Sequence, residues 1–281
     1  MPPVPASRLS FRLAPVGLLS LLLAGVSPPV VAQEALEIRL LYIGVADSAG
    51  HRGASQGLAE ANAQGEFLGQ RYTLDVIDPG KANAPFKGAV PSAIVSTLPP
   101  DEVLALARAH PEVPVLNVAL ADDALRATCL PNLLHTLPAA AMGRAAEAQW
   151  RKANPSGPEA TARAWHPSFE KYAAAQLNKR YREHFGAPMD DEAWAAWAAV
   201  KMVSDTVART QAVAPAAVRD ALRGDIAFDG QKGVEMDFRA DGQLRQPLLL
   251  IHENAVVGEA PVRGVADVED LDSLGTASCA P

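Results

Sequence analysis

Asp47, Ser48 and His51 put a carboxylate, a hydroxyl and an imidazole on one short loop, the residue types of a nucleophilic triad. Residues this close along one loop rarely reach triad geometry, and no Gly-x-Ser-x-Gly elbow is present. No Gly-x-Gly-x-x-Gly motif follows a strand, so nothing here cradles a phosphate. The histidines (His51, His110, His135, His166, His184, His252) show no paired ligand spacing, and two isolated cysteines make a poor metal site. Asp267, Glu269, Asp270 and Asp272 lack the glycine of a calcium loop and read as a solvated face. No catalytic residue, metal or cofactor is expected, and the chain reads as a binding protein rather than an enzyme.

The elements that would position a binding site alternate. Glu37 to Ile43 reads as a strand, followed by a loop and a helix from Ala54 to Gln64 stopped by Gly65. Further strands are expected at Tyr72 to Ile77, Ala93 to Thr97, Pro114 to Val118 and Leu133 to Thr136, with helices at Asp101 to Ala109 and Ala139 to Lys152. This spacing predicts a doubly wound α/β lobe with a parallel sheet. In such a sheet ligands meet the loops at the carboxyl ends of the strands. That rule selects Asp47, Ser48 and His51 after the first strand, Ser96 and Thr97 after the third, and Asn117, Ala119 and Asp122 after the fourth. Two structural alternatives stand beside it: Ser96 and Thr97 as caps of the following helix, and Asp122-Asp123 as the cap of a short one.

The second half is helical. Phe169, Ala173, Leu177, Tyr181 and Phe185 recur every four residues and draw one apolar stripe, capped by Gly186 before Pro188. Asp190 or Asp191 caps the next helix, whose Trp194 and Trp197 fall at core spacing rather than as a sugar-stacking platform. Pro215 opens a third helix, Ala216 to Leu222, ended by Gly224. Met236 and Phe238 alternate with Asp237 and Arg239, and Asp241-Gly242 supplies a tight turn. Together they predict a β-hairpin whose second strand is Leu244 to Ile251.

Arg8 and Arg12, the apolar run Leu13 to Val26, Pro28-Pro29 and the small residue Ala32 have the three-part order of a secretory signal, with cleavage before Gln33. The net charge of −7 becomes more negative when those two arginines leave, which argues against nucleic acid or an anionic membrane surface as partner. In an oxidising compartment, Cys129 and Cys279 are read as a disulfide that pins the tail to the first lobe.

The run Phe228 to Gly233, the stretch Met236 to Gln243 and the apolar Leu248 to Ile251 resemble the closing segment of type I periplasmic solute-binding proteins, the family of branched-chain amino-acid receptors. The helix Gly57 to Gly65, the turn Phe67-Leu68-Gly69-Gln70 and the strand after it resemble that family's opening. A narrower group is similar to Asp122 to Arg126 with Cys129, Leu134-His135-Thr136, Trp165-His166-Pro167, Ala174 with Gln176-Leu177, Gly242 to Pro247, and Leu271 to Gly275 with Cys279. It is the ABC-transporter substrate-binding proteins associated with pyrroloquinoline quinone-dependent alcohol dehydrogenase systems.

The resemblance implies a periplasmic protein that delivers a small solute to a membrane permease, with Ser96, Thr97, Asn117 and Ala119 as ligand-binding residues. The chain departs from the family between its two blocks of similarity. Asn154-Pro155-Ser156-Gly157-Pro158 follows the helix from Ala139 directly, and Trp165 comes soon after. Each βαβ unit needs ~30 residues, so most of a second α/β lobe does not fit. The expected organisation is therefore a signal peptide at 1–32, an N-terminal α/β lobe at 33–153, and a truncated second lobe of helices, C-terminal hairpin and tail at 154–281. An apolar face left by the absent lobe would favour a homodimer. The alternative function is a periplasmic accessory protein of the same alcohol-oxidation system that binds no ligand.

Overall fold

The computed structural model describes residues 35–82, 86, 88–224, 226–277 and 279. The expected signal segment, 1–32, lies outside them, and residues from Glu34 onward form one compact unit.

Five parallel strands form the main sheet: β1 (Leu36–Ile43), β2 (Gln70–Ile77), β3 (Ala93–Ser96), β4 (Val115–Asn117) and β5 (Leu133–His135), in the order β2-β1-β3-β4-β5. The chain winds from β1 outward to β2, then crosses back to β3 on the other side of β1, so the winding direction switches between β1 and β3. Helices cover both faces. On one face, Leu41, Ile43, Ile94 and Val115 pack with Val103 and Leu106 of α2 (Pro100–Ala109) and Leu125 of α3 (Asp123–Arg126). On the other, Leu40, Tyr42, Val95 and Leu116 meet the larger core. That core includes α1 (Ala49–Leu68), α5 (Ala174–Phe185), α6 (Asp191–Thr210) and α7 (Pro215–Leu222). The helices assigned by sequence to the second part thus pack on the first sheet. Trp194 and Trp197 are core residues, as expected, and the Trp194 ring stacks on Trp165.

The seam between α1 and α6 explains why α1 is longer than the stretch read from sequence. A Cβ at Gly53 would sit 2.0 Å from the Ala193 carbonyl oxygen, and one at Gly57 would sit 2.9 Å from Val200 Cβ. These glycines are notches for a neighbouring helix, not breaks. Gly65 is likewise mid-helix, pressed against the Gln70 carbonyl, and the stop is Gly69, in the left-handed region at φ 65°. Ser48 caps the start by accepting the His51 N–H at 3.2 Å. Asn62 then fixes the helix to the sheet edge, donating to the Tyr72 carbonyl at 3.0 Å and accepting the Tyr72 N–H at 2.8 Å.

A second, antiparallel sheet has the order β6-β7-β8, from β6 (Thr161–Arg163), β7 (Leu248–His252) and β8 (Ala255–Ala260). α4 (Ala140–Ala153) packs on it through Met142 and Ala146, which meet Leu248 and Leu250. On the opposite pleat Leu249 belongs to the main core and Ile251 packs against it. This sheet corrects the expected hairpin. Leu248 to His252 pairs with Ala255 to Ala260, and the connecting turn is Glu253-Asn254, both at positive φ. The Asp241-Gly242 turn forms, but it closes only one bridge, Phe238 to Leu244. The chain leaves that turn to lie beside β5, where His135 donates to the Gly242 carbonyl at 2.7 Å and accepts from Leu244 N–H at 3.0 Å.

The tail returns as a short 3-10 turn, Leu271–Leu274, whose Leu274 joins the core under α4. It ends at the Cys129–Cys279 disulfide, with Cα atoms 5.8 Å apart across 150 residues of sequence.

Candidate functional site

A switch in winding direction opens a crevice at the carboxyl ends of the two strands that flank it. Here those strands are β1 and β3, and the residues at their ends converge on the start of α1. Tyr42 Oη and Ser48 Oγ are 2.8 Å apart. Thr97 Oγ1 donates to the Ile43 carbonyl at 3.4 Å. Glu192, from the first turn of α6, accepts the Gly50 N–H at 2.9 Å. A Cβ at Gly50 would lie 2.8 Å from both the Glu192 carboxylate and Tyr42 Oη, and 3.1 Å from Thr97 Cγ2, so these three groups share one small space. Burial raises the Tyr42 hydroxyl pKa against the opposing hydrogen bonds from Ser48 and Thr97. It also raises the Glu192 carboxyl, against the Gly50 N–H.

The first turn of α6 has a second side. Asp191 accepts the Trp165 N–H at 2.7 Å and pairs with Arg163 at 3.2 Å, and burial raises its pKa. Asp190 caps the helix by accepting from Ala193 N–H at 2.9 Å. Beside them lies a cavity of about 540 Å³, bounded by Trp165, Met189, Ile251 and Asn254. Another cavity of about 510 Å³ sits at the opposite end of α6, by Arg209. Its Arg245 is held there in ion pairs with Asp237 and Asp272.

Of the four residues assigned to ligand binding by resemblance, Thr97 stands at the crevice. Ser96 is fully buried, and its hydroxyl accepts the Leu98 N–H at 3.2 Å. It does not cap the following helix, which begins after Pro99 with no side-chain cap. Asn117 is also buried. It donates to the Leu120 carbonyl at 2.8 Å, lies 3.0 Å from His135 Nδ1, and accepts the N–H groups of Ala119 and Leu120. The Ala119 N–H is thereby engaged within its own loop. Asp122 caps α3, accepting from Ala124 N–H at 2.8 Å. The Asp47, Ser48, His51 loop makes caps rather than a triad. His51 Nδ1 accepts the Asp47 N–H at 3.0 Å, while Ser48 turns to Tyr42 and the His51 backbone.

A buried polar junction joins the two sheets below this rim. Arg126, 2% exposed, donates through Nε to Gln243 at 2.9 Å, and through its terminal nitrogens to the carbonyls of Leu120, Asp122 and Leu137. Burial lowers its pKa to about 10. Gln246 donates to the Thr136 carbonyl at 2.7 Å and accepts from Lys232 at 2.8 Å, while the Lys232 ammonium sits 3.9 Å above the Trp194 ring. Burial drives both Lys232 and His135 toward their neutral forms. Sequence reasoning missed Tyr42, Glu192 and Lys232. Glu192 has its partner 142 residues away, and no local motif marks Tyr42 or Lys232.

No protein-family model and no curated protein matches the chain. Solved structures do. A branched-chain amino acid ABC transporter periplasmic ligand-binding protein from Burkholderia xenovorans is 11% identical at a TM-score of 0.65, covering 79% of this chain and 95% of its own. A substrate-binding protein from Desulfitobacterium hafniense, in complex with Leu, is 12% identical at 0.65, covering 78% and 99%. A solute-binding protein from R. palustris, in complex with benzoate, is 14% identical at 0.61, covering 79% and 95%. The fold is that of type I periplasmic binding proteins.

Proposed function

We propose that the protein is a periplasmic, non-enzymatic solute-binding component of an ABC importer, serving a small molecule linked to quinoprotein alcohol oxidation. The observation that carries this reading is the polar cluster at the β1/β3 switch point of a type I binding fold. There Tyr42, Ser48, Thr97 and Glu192 gather around the α1 N-terminus. The structural neighbours support the solute-binding part. The link to alcohol oxidation rests on the sequence resemblance.

A second reading has its own observation. Ser96 and Asn117 spend their polar atoms inside the protein, and the second sheet has three strands among the described residues. A one-sided crevice buries less of a ligand than a closed one. Solute affinity is therefore weak, with a dissociation constant above about 0.1 mM (roughly −5.5 kcal/mol), or the protein acts as an accessory partner without a ligand. Thermal denaturation against a solute panel separates the two. Ligand at a hundred times its dissociation constant raises stability by about 2.7 kcal/mol. No shift with any solute supports the accessory role. Submicromolar affinity that is lost in Thr97→Ala shows a site more complete than this one.

A further inference from the structure

The small sheet is longer than the core it covers. Antiparallel pairing sets Thr161 opposite Ile251 and Arg163 opposite Leu249, so these four side chains share the face turned to the large lobe. Leu249 is buried in the main core, and Ile251, half-buried, packs against it. Thr161 and Arg163 stay exposed. Beyond Leu249 the face therefore overhangs instead of packing. The overhang roofs the cavity of about 540 Å³ beside the first turn of α6. Small-molecule sites span ~300 to ~1,000 Å³, so the space has the size of one.

The walls are fixed by their own bonds. Trp165 donates its ring N–H to Asn178 at 2.8 Å and its backbone N–H to Asp191 at 2.7 Å. The β7–β8 turn is tied to the same loop. His166 Nε2 lies 3.2 Å from Asn254 Oδ1, and the Val256 N–H donates to Ser168 at 3.2 Å. Pro167 and Ile251 are half-buried, Pro188 is exposed, and Trp165 and Met189 are buried, so much of the lining is apolar.

The carboxylates here are engaged or face water. Asp191 gives one oxygen to the Trp165 N–H and the other to Arg163, Asp190 accepts the Ala193 N–H, and Glu253 is exposed beside His252. Arg163 is different. A guanidinium carries five N–H groups, and among the described residues Arg163 spends one, on Asp191 at 3.2 Å. Its side chain is 56% exposed, so the others are free to donate. An anionic head drawn to them would meet Asp190, Asp191 and Glu253, three carboxylates against one guanidinium. An ammonium head would meet Arg163 and find both oxygens of Asp191 taken. An uncharged oxygen acceptor meets neither obstacle and sheds less hydration on entry.

We propose that this cavity is a binding site for a small uncharged solute, whose apolar body lies against Pro167, Pro188 and Ile251 and whose carbonyl or hydroxyl oxygen accepts from the Arg163 guanidinium. The site is on another side of the first turn of α6 from the polar cluster, and Tyr42, Ser48, Thr97 and Glu192 take no part in it. It rests on the solute-binding reading above for its purpose, and adds a position and a class of solute.

The test titrates the protein by calorimetry at pH 7 with two matched sets, benzamide, benzoate and benzylamine, and hexanamide, hexanoate and hexylamine, each up to about 10 mM. In the wild type the amide of at least one set binds at least tenfold more tightly than its charged partners. Thr161→Trp puts a large ring under the roof from an exposed strand position, and its melting temperature checks that the fold is intact. It lowers amide affinity at least tenfold. Arg163→Met keeps a long side chain without donors and brings a similar loss, which carries the test if the tryptophan variant melts early. Two results overturn the proposal while leaving the solute reading standing: charged partners that bind as well as the amide, or undiminished amide binding in an intact Thr161→Trp protein. Amide binding kept there but lost in Thr97→Ala overturns it as well, and moves the solute to the switch point. Absence of binding by all six probes overturns this site, and the solute reading falls with it only if the wider solute panel is silent too.

Discussion

The two sheets solve the burial problem differently. The five-stranded sheet has helices on both faces and reads as a doubly wound lobe that holds its own core on each side. The three-stranded sheet has one helix, α4, on one face, while Leu249 and Ile251 send its other face into the core of its neighbour. The small sheet is therefore a cover for the large one rather than a lobe of its own. Hinge closure needs two bodies that rotate with little cost to their cores. Here rotation would pull Leu249 from the shared core and strain the Gln246–Thr136 contact at the end of β5. The small sheet is fused in place.

The comparison breaks most easily where the parts are tied together. Cys279→Ser frees the tail from the first lobe across a 150-residue separation, and the loss expected from chain entropy is about 5 kcal/mol. Denaturant melts with and without reductant measure it, and an unchanged midpoint refutes the tie. Gly53→Ala attacks the large lobe alone. Its methyl group would meet the Ala193 carbonyl at 2.0 Å, with only backbone to give way, so a loss of about 3 kcal/mol is expected by the same melts. Asn117→Ala removes the clasp of the β4 loop and should lower stability by about 2 kcal/mol. Unaltered stability would mean that Asn117 is free to serve a solute instead.

The junction between the sheets has a pH signature. Burial, and then the Arg126 charge, hold His135 neutral in the folded protein. The unfolded chain still takes up its proton below about pH 6.5, so folding stability falls as pH drops from there. The slope approaches about 1.4 kcal/mol per pH unit for one proton. Asp191 and Glu192, with raised pKa values, act with the opposite sign nearer to their own range. Lys232, which burial also holds toward its neutral form, adds a slope of the same sign, so the histidine is read by difference: between pH 7 and 5.5 His135→Gln should reduce the slope. The smallest effect belongs to α4. A Cβ at Gly143 meets only Ala162 Cβ at 4.0 Å, so Gly143→Ala should stabilise by up to about 1 kcal/mol. A loss there, as large as at Gly53, would show that the cover is packed as tightly as the lobe.

The alternation of strands and helices in the first lobe was readable because each element carries its own period. β1 to β5 appear within a few residues of their expected places, and the caps at Asp190 and Gly186 are local chemistry. Reading failed where meaning depends on a distant partner. Gly65 looks like a stop until Gln70 is seen against it. Asp241-Gly242 is a stronger turn signal than Glu253-Asn254, yet the second builds the hairpin because Ala255 to Ala260 is the strand that fits beside β7. The site follows the same rule. The loops after β1 and β3 were found from topology, while Glu192 enters from α6 and leaves no trace near Gly50 in the sequence.

The separation of Gly50 from Glu192 also sets a schedule for biosynthesis. A chain made at ~5–20 residues per second needs roughly 7 to 28 s to add the 142 residues between them. Throughout that interval the notched face of α1 has no helix to receive, and one side of the parent sheet lies bare. A newborn chain in this condition is a natural client for holding chaperones. The first helix cannot be closed until the sixth has been delivered.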